Sequence, residues 1–487
     1  MTLFKKLSHW SFPWFSIGMI AIFFLSLAVR FWGLERFNAL VFDEVYYAKF
    51  ANNYLTGTQF FNAHPPLSQY IIAIGIWIGS HVSMGQDTVN SFAGSLRTTW
   101  SYRWINALTG SFIPLIVAAL AYQLNRRRRF AFIAGLFAAA DGLFLVESRY
   151  ALNNVYLVIL GLLGQLFFLI ALHKPKERRW ASLGLSGVFF GACACIKWNG
   201  LWFLLGVYMI WAAAWVIQRM QPKVKHQESE VRTTKPAQTP LTNLTQLNIF
   251  HVIWYFAIIP VVTYSLLWIP HLKMNPTPGF WQAQKEILLF HEKIGSGPDV
   301  HPYCSSWYSW ILMWRPVAYF YQTARDTNEL VPTYPPLPAD VGKVIYDVHA
   351  MGNPFLWWLS TAAILLLLLL LVQRFVEGTG QKYPTSPHTW IALYLVLNWV
   401  AQLLPWVRVT RCTFIYHYMG ASVFSGLALA WLVERWLQNR DKPHYRSAGF
   451  TVIAVVMLAF VFWLPIYLGL PLSPADYRLR MWFSSWI

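Results

Sequence analysis

An adjacent pair of carboxylates, Asp43 and Glu44, is the first feature of the sequence that could do chemistry. The chain has only 20 acidic residues against 38 basic ones, and the pair follows the first long apolar segment. Positions 43, 47, 50 and 54 share one helical face, which predicts an amphipathic helix lying at a membrane surface. A carboxylate placed there can act as a general base. The structural alternative is that Asp43 caps the helix and Glu44 favours its positive N-terminus.

Other ionisable side chains are predicted to gather on the same side of the membrane as this pair. Ionisable groups at membrane depth are costly and usually face a protein-lined cavity. Arginine and lysine can neutralise a phosphate leaving group as charge develops on it, although Arg103 and Arg411 could instead be end anchors that reach the surface. Besides the carboxylate pair, the candidate residues are His64, Arg103, Glu147, Arg149, Lys197, Trp198, Arg411, Tyr416 and His417.

Carboxylates set among fixed cations suit a substrate that carries phosphate and an acceptor that must lose a proton. The sequence has no Gly-rich phosphate loop, Walker motif or Rossmann fingerprint, which argues against a cytosolic nucleotide donor. A phosphate carried on a lipid and entering from the bilayer fits better. No spacing of His, Cys and Asp residues matches a zinc site, so no metal ligands are predicted.

The elements that must position these side chains are membrane helices. Of 487 residues, 56% are hydrophobic and only 12% are charged, and the mean hydropathy is +0.41. Several runs approach or exceed the roughly 20 apolar residues that cross a bilayer, so we predict an all-α polytopic membrane protein. The net charge of +18 is explained by basic loops on one membrane side, and no nucleic-acid partner is predicted.

Lysine and arginine set the predicted orientation, because loops rich in these residues stay in the cytoplasm. This places the N-terminus in the cytoplasm and the candidate residues on the opposite side. The stretch from Pro65 to His81 is short for a crossing and is predicted to be interfacial or re-entrant. The eleven predicted spans are 14–34, 103–124, 130–146, 151–172, 181–196, 200–217, 249–269, 354–373, 389–405, 414–433 and 449–469.

Three long loops interrupt this single transmembrane domain of residues 1–487. They are a first outer loop at 35–102 that carries the carboxylate pair, a flexible cytoplasmic loop at 218–248, and a long outer loop at 270–353. The aromatic run at 307–314 predicts an interfacial helix in the long outer loop, with Trp at headgroup depth. Cys304 and Cys412 both fall on the outer side; a bond between them is possible, but nothing in the sequence supports it.

Short blocks of the sequence strongly resemble the protein O-mannosyltransferase family. The resemblance runs nearly end to end and keeps the order of the blocks. The pairing of the first two blocks is specific, whereas each of the others alone would be weak. The blocks are Phe42-Asp43-Glu44-Val45-Tyr46-Tyr47, His64-Pro65-Pro66-Leu67, Arg103-Trp104-Ile105-Asn106-Ala107-Leu108-Thr109-Gly110, Glu147-Ser148-Arg149-Tyr150, Lys197-Trp198-Asn199-Gly200, His301-Pro302-Tyr303 and Arg411-Cys412-Thr413-Phe414-Ile415-Tyr416-His417-Tyr418.

The resemblance implies a GT-C glycosyltransferase fold of about eleven transmembrane helices in the cell (plasma) membrane, with the active site facing away from the cytoplasm. It implies inverting transfer of mannose from polyprenyl-phosphate-mannose, the co-substrate, to Ser or Thr hydroxyls of exported polypeptides. Asp43 corresponds to the residue taken as catalytic in the family. Eukaryotic members insert a β-trefoil module for which 270–353 has no room, so this chain resembles the shorter bacterial members.

Together, the residues and the resemblance give each candidate a role. Asp43 removes the acceptor proton, and Glu44 orients the acceptor or the base. The predicted contacts with the donor phosphate are Arg103, Arg149, Lys197 and Arg411, and the predicted contacts with substrate are His64, Glu147, Trp198, Tyr416 and His417. Two alternatives stay open: a related transferase acting on a lipid or cell-wall glycan, and a membrane transporter. The absence of an inverted repeat disfavours the transporter.

Overall fold

Helices dominate the computed structural model, which describes residues 13–82, 85–220, 240–324, 332–337, 342–376, 387–439 and 441–487. Two antiparallel hairpins, β1 (Val89–Asn90) with β2 (Arg97–Thr98) and β3 (Val317–Ala324) with β4 (Val344–Ala350), lie between them. The helices are α1 (Trp14–Phe31), α2 (Glu44–Thr56), α3 (Leu67–Gly79), α4 (Thr99–Ser111), α5 (Ile113–Asn125), α6 (Arg128–Ala139), α7 (Gly142–Arg149), α8 (Asn154–Leu172), α9 (Trp180–Ala194), α10 (Leu201–Met220), α11 (Pro240–Leu244), α12 (Ile249–Ile253), α13 (Ile259–Met274), α14 (Phe280–Lys293), α15 (Trp307–Trp310), α16 (Pro354–Val376), α17 (Pro387–Leu403), α18 (Met419–Gln438), α19 (Pro443–Tyr467) and α20 (Pro474–Arg480).

Each of the eleven predicted spans falls on one or two of these helices. Within the described residues, eight helical segments are long and apolar enough to cross a membrane, with α4 and α5 forming one of them and α12 and α13 another. The pair α6 and α7, bent by 57°, makes a ninth if it is one span. The helices α9 and α18 cover the two remaining predictions but do not meet the same criterion. The multi-pass architecture is therefore confirmed, whereas the count of eleven is not.

The bend between α6 and α7 places polar side chains at the end of the bundle that carries the site. Asp141 stands at the break, and its carboxylate accepts hydrogen bonds from the backbone N–H groups of Leu143 at 2.8 Å and Phe144 at 3.1 Å. This is helix N-capping, which satisfies backbone donors that the broken helix leaves free. Because α7 begins in a new direction after the break, Glu147 and Arg149 in its last turn lie next to the loops that follow α1 and α7.

The first outer loop folds as predicted into a helix beginning at the carboxylate pair and a second short helix. α2 packs against α3, and α3 packs against α4. Asp43 occupies the N-cap position of α2, yet its side chain accepts no capping hydrogen bond. The capping role considered for Asp43 is therefore absent, and its carboxylate is left free for another use.

The long outer loop contains structure that the sequence analysis missed. β3 and β4 pair in antiparallel register, and every residue of β4 is buried. The predicted interfacial helix at 307–314 is wrong in extent, because α15 ends at Trp310 and Met313 adopts a left-handed conformation with φ 55°. Cys304 and Cys412 form a disulfide that joins this loop to the segment before α18.

The predicted flexible loop at 218–248 lies partly outside the described residues, namely at 221–239. Its two described ends are helical, since α10 continues to Met220 and α11 begins at Pro240. The linker character predicted from composition stays a prediction for the part between them.

Candidate active site

A cavity of ≈ 410 Å³ opens beside the N-terminal end of α2. It lies between α2, the segment before α3, the last turn of α14 and the segment before α18. Six of the predicted site residues line it, although they come from four separate parts of the chain. The lining residues are Asp43, Tyr46, Tyr47, Phe50, Phe61, Asn62, Ala63, His64, Lys197, Phe290, His291, Ile294, Val300, His301, Arg411, Cys412, Phe414, Tyr416 and His417.

A strained turn directs Asp43 into this cavity. Phe42 has a left-handed backbone with φ 50°, a conformation that is unusual for a bulky residue and that persists only where the surroundings enforce it. Its ring stacks on Tyr319 of β3, with centroids 4.1 Å apart and planes 8° from parallel. The hairpin in the long outer loop therefore holds the turn from which Asp43 projects.

Glu44 points away from the cavity and fixes the same turn from the other side. Its Oε2 accepts a hydrogen bond from the Val41 N–H at 2.8 Å, and its Oε1 accepts one from the Ala151 N–H at 2.8 Å. Both oxygens also accept from Arg103, from Nε at 2.9 Å and from Nη2 at 2.8 Å. Glu44 is fully buried. Of its two predicted uses, orienting the base fits this geometry, whereas orienting the acceptor does not.

Arg103 makes its contacts with protein, which corrects the prediction that it contacts a phosphate. Two of its N–H groups bind Glu44, and the other three donate to the carbonyl oxygens of Leu34 at 3.0 Å, Phe37 at 3.0 Å and Ala39 at 2.8 Å. A guanidinium has five N–H donors, so all are used. The side chain is completely buried and does not line the cavity. Arg103 therefore stabilises the first outer loop.

Arg149 likewise lies away from the cavity, and its predicted phosphate contact is not supported. Its Nη1 donates to three carbonyl oxygens at the end of α1, those of Val29 at 2.9 Å, Arg30 at 3.0 Å and Trp32 at 2.8 Å. Its Nη2 donates to the Gly33 carbonyl oxygen at 2.8 Å. These carbonyls have no partner within the helix, and a cation there also suits the negative end of the helix dipole.

Lys197 does reach the cavity and faces Asp43 across it. Its Nζ donates to Asn154 Oδ1 at 2.8 Å and lies 5.2 Å from the centre of the Tyr416 ring. Burial lowers the pKa of Lys197 to about 8, against the opposing influence of Asp43 and Glu147. Burial also raises the pKa of Asp43 to about 6, and Lys197 limits that rise. Near neutral pH, an ionised carboxylate and an ammonium group therefore share the cavity.

Glu147 lies directly behind the cavity wall and does not line it. Its two oxygens accept from Asn154 Nδ2 at 3.1 Å, and Oε1 also accepts from the Tyr319 hydroxyl. Asn154 thus links Glu147 to Lys197. Glu147 was predicted to contact substrate, and this arrangement corrects that prediction. Glu147 instead holds in place the groups that line the site.

Three other basic side chains, those of His64, His291 and Arg411, also line the cavity. Arg411 donates from Nη1 to its neighbouring Cys412 carbonyl at 3.0 Å and is otherwise open to the cavity. The His64 and His291 rings lie 5.2 Å apart. Burial and the nearby cations lower the pKa of His64, and burial with Arg411 lowers the pKa of His291 to about 4. Near neutral pH, both imidazoles are uncharged. His64 can donate one hydrogen bond to a ligand, whereas His291 already donates from Nε2 to the Ala63 carbonyl oxygen at 3.0 Å.

Of the three remaining predicted residues, two line the cavity and one does not. Tyr416 and His417 line the cavity, where His417 packs on Trp310 and Trp406 with ring centroids 5.7 and 4.5 Å away. Trp198 does not line it. Its indole donates to the Tyr264 hydroxyl of α13 at 3.0 Å. Trp198 was predicted to contact substrate, but in the structure it joins the turn before α10 to α13.

Three residues that line the site or hold its lining were missed by the sequence analysis. Asn154 opens a long apolar helix, His291 ends a mixed amphipathic one, and Tyr319 lies in the unpredicted hairpin. Only Asn154, a polar residue at the outer end of a predicted span, carried a signal that could have been used. In the described ranges, no group of three His, Cys, Asp or Glu side chains is arranged to hold a metal ion.

This arrangement can bind an anion and remove a proton at the same time. The half-buried Asp43 carboxylate makes no hydrogen bond within the described part of the chain and faces a cavity that also contains Lys197 and Arg411. A carboxylate with a raised pKa suits general base catalysis, and fixed cations stabilise a departing phosphate.

The known proteins that this chain resembles fit the chemistry inferred from the cavity. Over most of its length this chain is similar to polyprenol-phosphate-mannose–protein mannosyltransferases of two bacteria. It is 24% identical to that of Corynebacterium glutamicum, covering 96% of this chain and 92% of the relative. It is 23% identical to that of Mycolicibacterium smegmatis, covering 87% and 81%.

A solved structure confirms the predicted fold class. The Saccharomyces cerevisiae protein O-mannosyltransferase Pmt1-Pmt2 complex, bound to the sugar donor, matches with a TM-score of 0.76 at 13% identity, covering 97% of this chain and 92% of that one. Two family models match in succession: dolichyl-phosphate-mannose-protein mannosyltransferase over residues 20–273, and the C-terminal four-transmembrane region of protein-O-mannosyltransferase over residues 276–486. The chain therefore belongs to the dolichyl-phosphate-mannose-protein mannosyltransferase family.

Proposed function

We propose that this protein transfers mannose from polyprenyl-phosphate-mannose to Ser or Thr hydroxyls of exported polypeptides at the non-cytoplasmic membrane face, with inversion. The observation that carries the proposal is the unpaired Asp43 carboxylate, which shares one cavity with Lys197 and Arg411. Family membership supports the donor and the reaction class.

The proposed reaction is a single displacement. Asp43 accepts the proton of the acceptor hydroxyl, and the oxygen bonds to the anomeric carbon of mannose from the face opposite the phosphate. The bond from that carbon to the phosphate oxygen breaks, and its electron pair leaves with the lipid phosphate. Lys197 and Arg411 neutralise the charge that develops there, and His64 can donate a hydrogen bond to it. Attack from the opposite face inverts the anomeric configuration.

The direct test is transfer of labelled mannose in detergent. Purified protein is incubated with labelled polyprenyl-phosphate-mannose and a Ser/Thr-rich peptide, and we expect label on the peptide that is retained after organic extraction of lipid. A transporter would need a sealed compartment and would leave the peptide unlabelled. Label on an added lipid or glycan acceptor in place of the peptide would contradict the proposed acceptor class.

The two shifted pKa values predict a bell-shaped dependence of kcat/KM on pH. Below about pH 6 Asp43 gains a proton and cannot act as a base, so transfer falls as the pH decreases. Above about pH 8 Lys197 loses its proton and the cavity loses a cation, so transfer falls as the pH increases. Because the two groups interact, the limbs belong to the pair. Rates measured between about pH 5 and pH 9 check this.

Lys197→Arg is the matched variant for the alkaline limb, because a guanidinium stays charged throughout this range. We expect that limb to move to higher pH while the acidic limb stays. An alkaline limb that stays in place would show that Lys197 is not the group that titrates there.

We also propose that the cavity and the C-terminus face away from the cytoplasm. The charge asymmetry of the loops supports this, and the Cys304–Cys412 disulfide beside the cavity suits an oxidising compartment. The C-terminal segment packs on the long outer loop, where the Trp486 indole donates to the Met313 carbonyl at 3.1 Å. A reporter fused after Ile487 and active only in the cytoplasm should stay silent. Strong reporter activity would contradict the orientation.

A further inference from the structure

A groove of ≈ 850 Å³ lies next to the cavity, which is about half its size at ≈ 410 Å³. One wall is the segment 296–315 of the long outer loop, and the other is the segment 407–413 before α18. The groove and the cavity share Arg411 and Cys412 in their walls. A molecule lying in the groove is therefore placed beside residues that also line the cavity into which Asp43 projects.

The two walls are fastened to each other, so the groove is preformed. The Ser305 N–H donates to the Thr413 carbonyl at 2.8 Å, and the Thr413 hydroxyl donates to the Ser305 carbonyl at 2.6 Å. The Cys412 N–H donates to the Gly295 carbonyl at 2.7 Å, and the disulfide to Cys304 closes the same contact covalently. A preformed groove lowers the ordering cost of binding.

The lining of the groove differs in chemistry from the rim of the cavity. The rim exposes apolar rings, including Phe61 and Phe290, which suits a hydrocarbon tail. The groove combines exposed aromatic rings, Tyr308 at 64% and Trp314 at 59% exposure, with several serine hydroxyls. Aromatic side chains supply contact area and hydroxyls supply adaptable hydrogen bonds, a combination typical of surfaces that bind polypeptides.

We propose that this groove binds the acceptor polypeptide as an extended segment on one side of the Ser or Thr that enters the cavity. This proposal rests on the proposed function. It adds where the acceptor polypeptide binds and which charges beside its Ser or Thr are favoured. Arg315 and Arg411 line the groove, and its described lining contains no Asp or Glu. Acceptors whose flanking residues are neutral or acidic are therefore favoured over those rich in Lys or Arg.

Tyr308→Ala tests the contact, because this exposed side chain can be removed with little effect on folding. We expect the KM for a Ser/Thr peptide to rise roughly 5- to 30-fold, as for an aromatic residue central to an interface, with the donor KM and kcat unchanged. Phe92→Ala, at an exposed ring of the first outer loop outside the groove, is the matched control and should keep the wild-type KM.

Ser306→Lys tests the charge preference independently and serves if Tyr308→Ala is not recovered folded. Its added cation should raise the KM of a lysine-containing peptide more than that of an aspartate-containing peptide of the same length. A wild-type protein that labels no peptide would refute the proposed function itself. A wild-type protein that labels peptides, with both groove variants at wild-type peptide KM, would overturn only the groove.

Photocrosslinking locates the peptide directly. A peptide with a photoreactive residue about three positions from its single Ser should label the segments 296–315 and 407–413 of the wild-type protein, since an extended chain advances roughly 3.3 Å per residue. Labelling confined to other segments would overturn the proposal.

Discussion

Asp43→Asn is expected to abolish mannose transfer while leaving the fold intact. The substitution preserves the size of the side chain, and the Asp43 carboxylate makes no capping hydrogen bond whose loss could weaken α2. It removes basicity, and a positioned general base is typically worth about 10²- to 10⁴-fold in rate. Glu44 is not able to take over, because Arg103 and two backbone N–H groups hold both of its oxygens. The transfer rate with labelled donor measures the effect.

Two measurements separate this loss from misfolding or loss of donor. The variant should elute as the wild type does in size-exclusion chromatography and should bind the lipid donor with unchanged affinity. Asp87→Asn changes an exposed carboxylate of the same outer loop that, among the described residues, accepts one side-chain hydrogen bond, from the Tyr334 hydroxyl; this variant should transfer at the wild-type rate. Near-normal transfer by Asp43→Asn would require another base.

Arg103→Ala is expected to destabilise the protein by about 3–5 kcal/mol, the usual cost of leaving one partner of a buried ion pair alone. The substitution leaves the buried Glu44 carboxylate without its countercharge and leaves three carbonyl oxygens of the loop after α1 without a donor. The first outer loop, with Asp43 on it, should lose its fixed position. Thermal unfolding in detergent and limited proteolysis of that loop check this.

Arg411→Ala is the informative comparison. Arg411 lines the cavity and contacts only its neighbour's carbonyl within the described residues, so its removal should raise the donor KM with little change in unfolding temperature. The opposite pattern, a stable Arg103→Ala protein with weakened donor use, would return Arg103 to the phosphate role predicted from sequence.

The sequence predicted some of these residues correctly, whereas the placement of others depends on the tertiary structure. The scarcity of carboxylates and the motif resemblance singled out Asp43 as the candidate base, a role that stays a prediction, whereas family membership confirms the predicted mannosyltransferase class. Charge alone did not separate Lys197, which faces the cavity, from Arg149, which binds the free carbonyls at the end of α1. That distinction depends on which helix end lies nearby, a property of the tertiary structure.

The hairpin of the long outer loop was missed for a related reason. Its first strand follows a run of tryptophans, and aromatic richness near a membrane favours an interfacial helix over a strand. Its second strand does alternate polar and apolar residues from Tyr346 to Ala350, a signal typical of a half-buried strand that the sequence analysis left unused, although every residue of the strand is buried. Tyr319 and its contacts with Phe42 and Glu147 depend on this hairpin and were therefore not anticipated.

The composition of the cavity wall has a consequence for biosynthesis. Its residues lie on successive segments of the chain, beginning with Asp43 and ending with Arg411, Tyr416 and His417, so the ribosome makes Asp43 early and Arg411 late. A nascent chain that has inserted α1 to α16 carries Asp43 but lacks Arg411, Tyr416 and His417, and Cys304 has no disulfide partner until Cys412 is made 108 residues later. We expect membrane-inserted chains that stop before Arg411 to be inert, so that premature products glycosylate nothing.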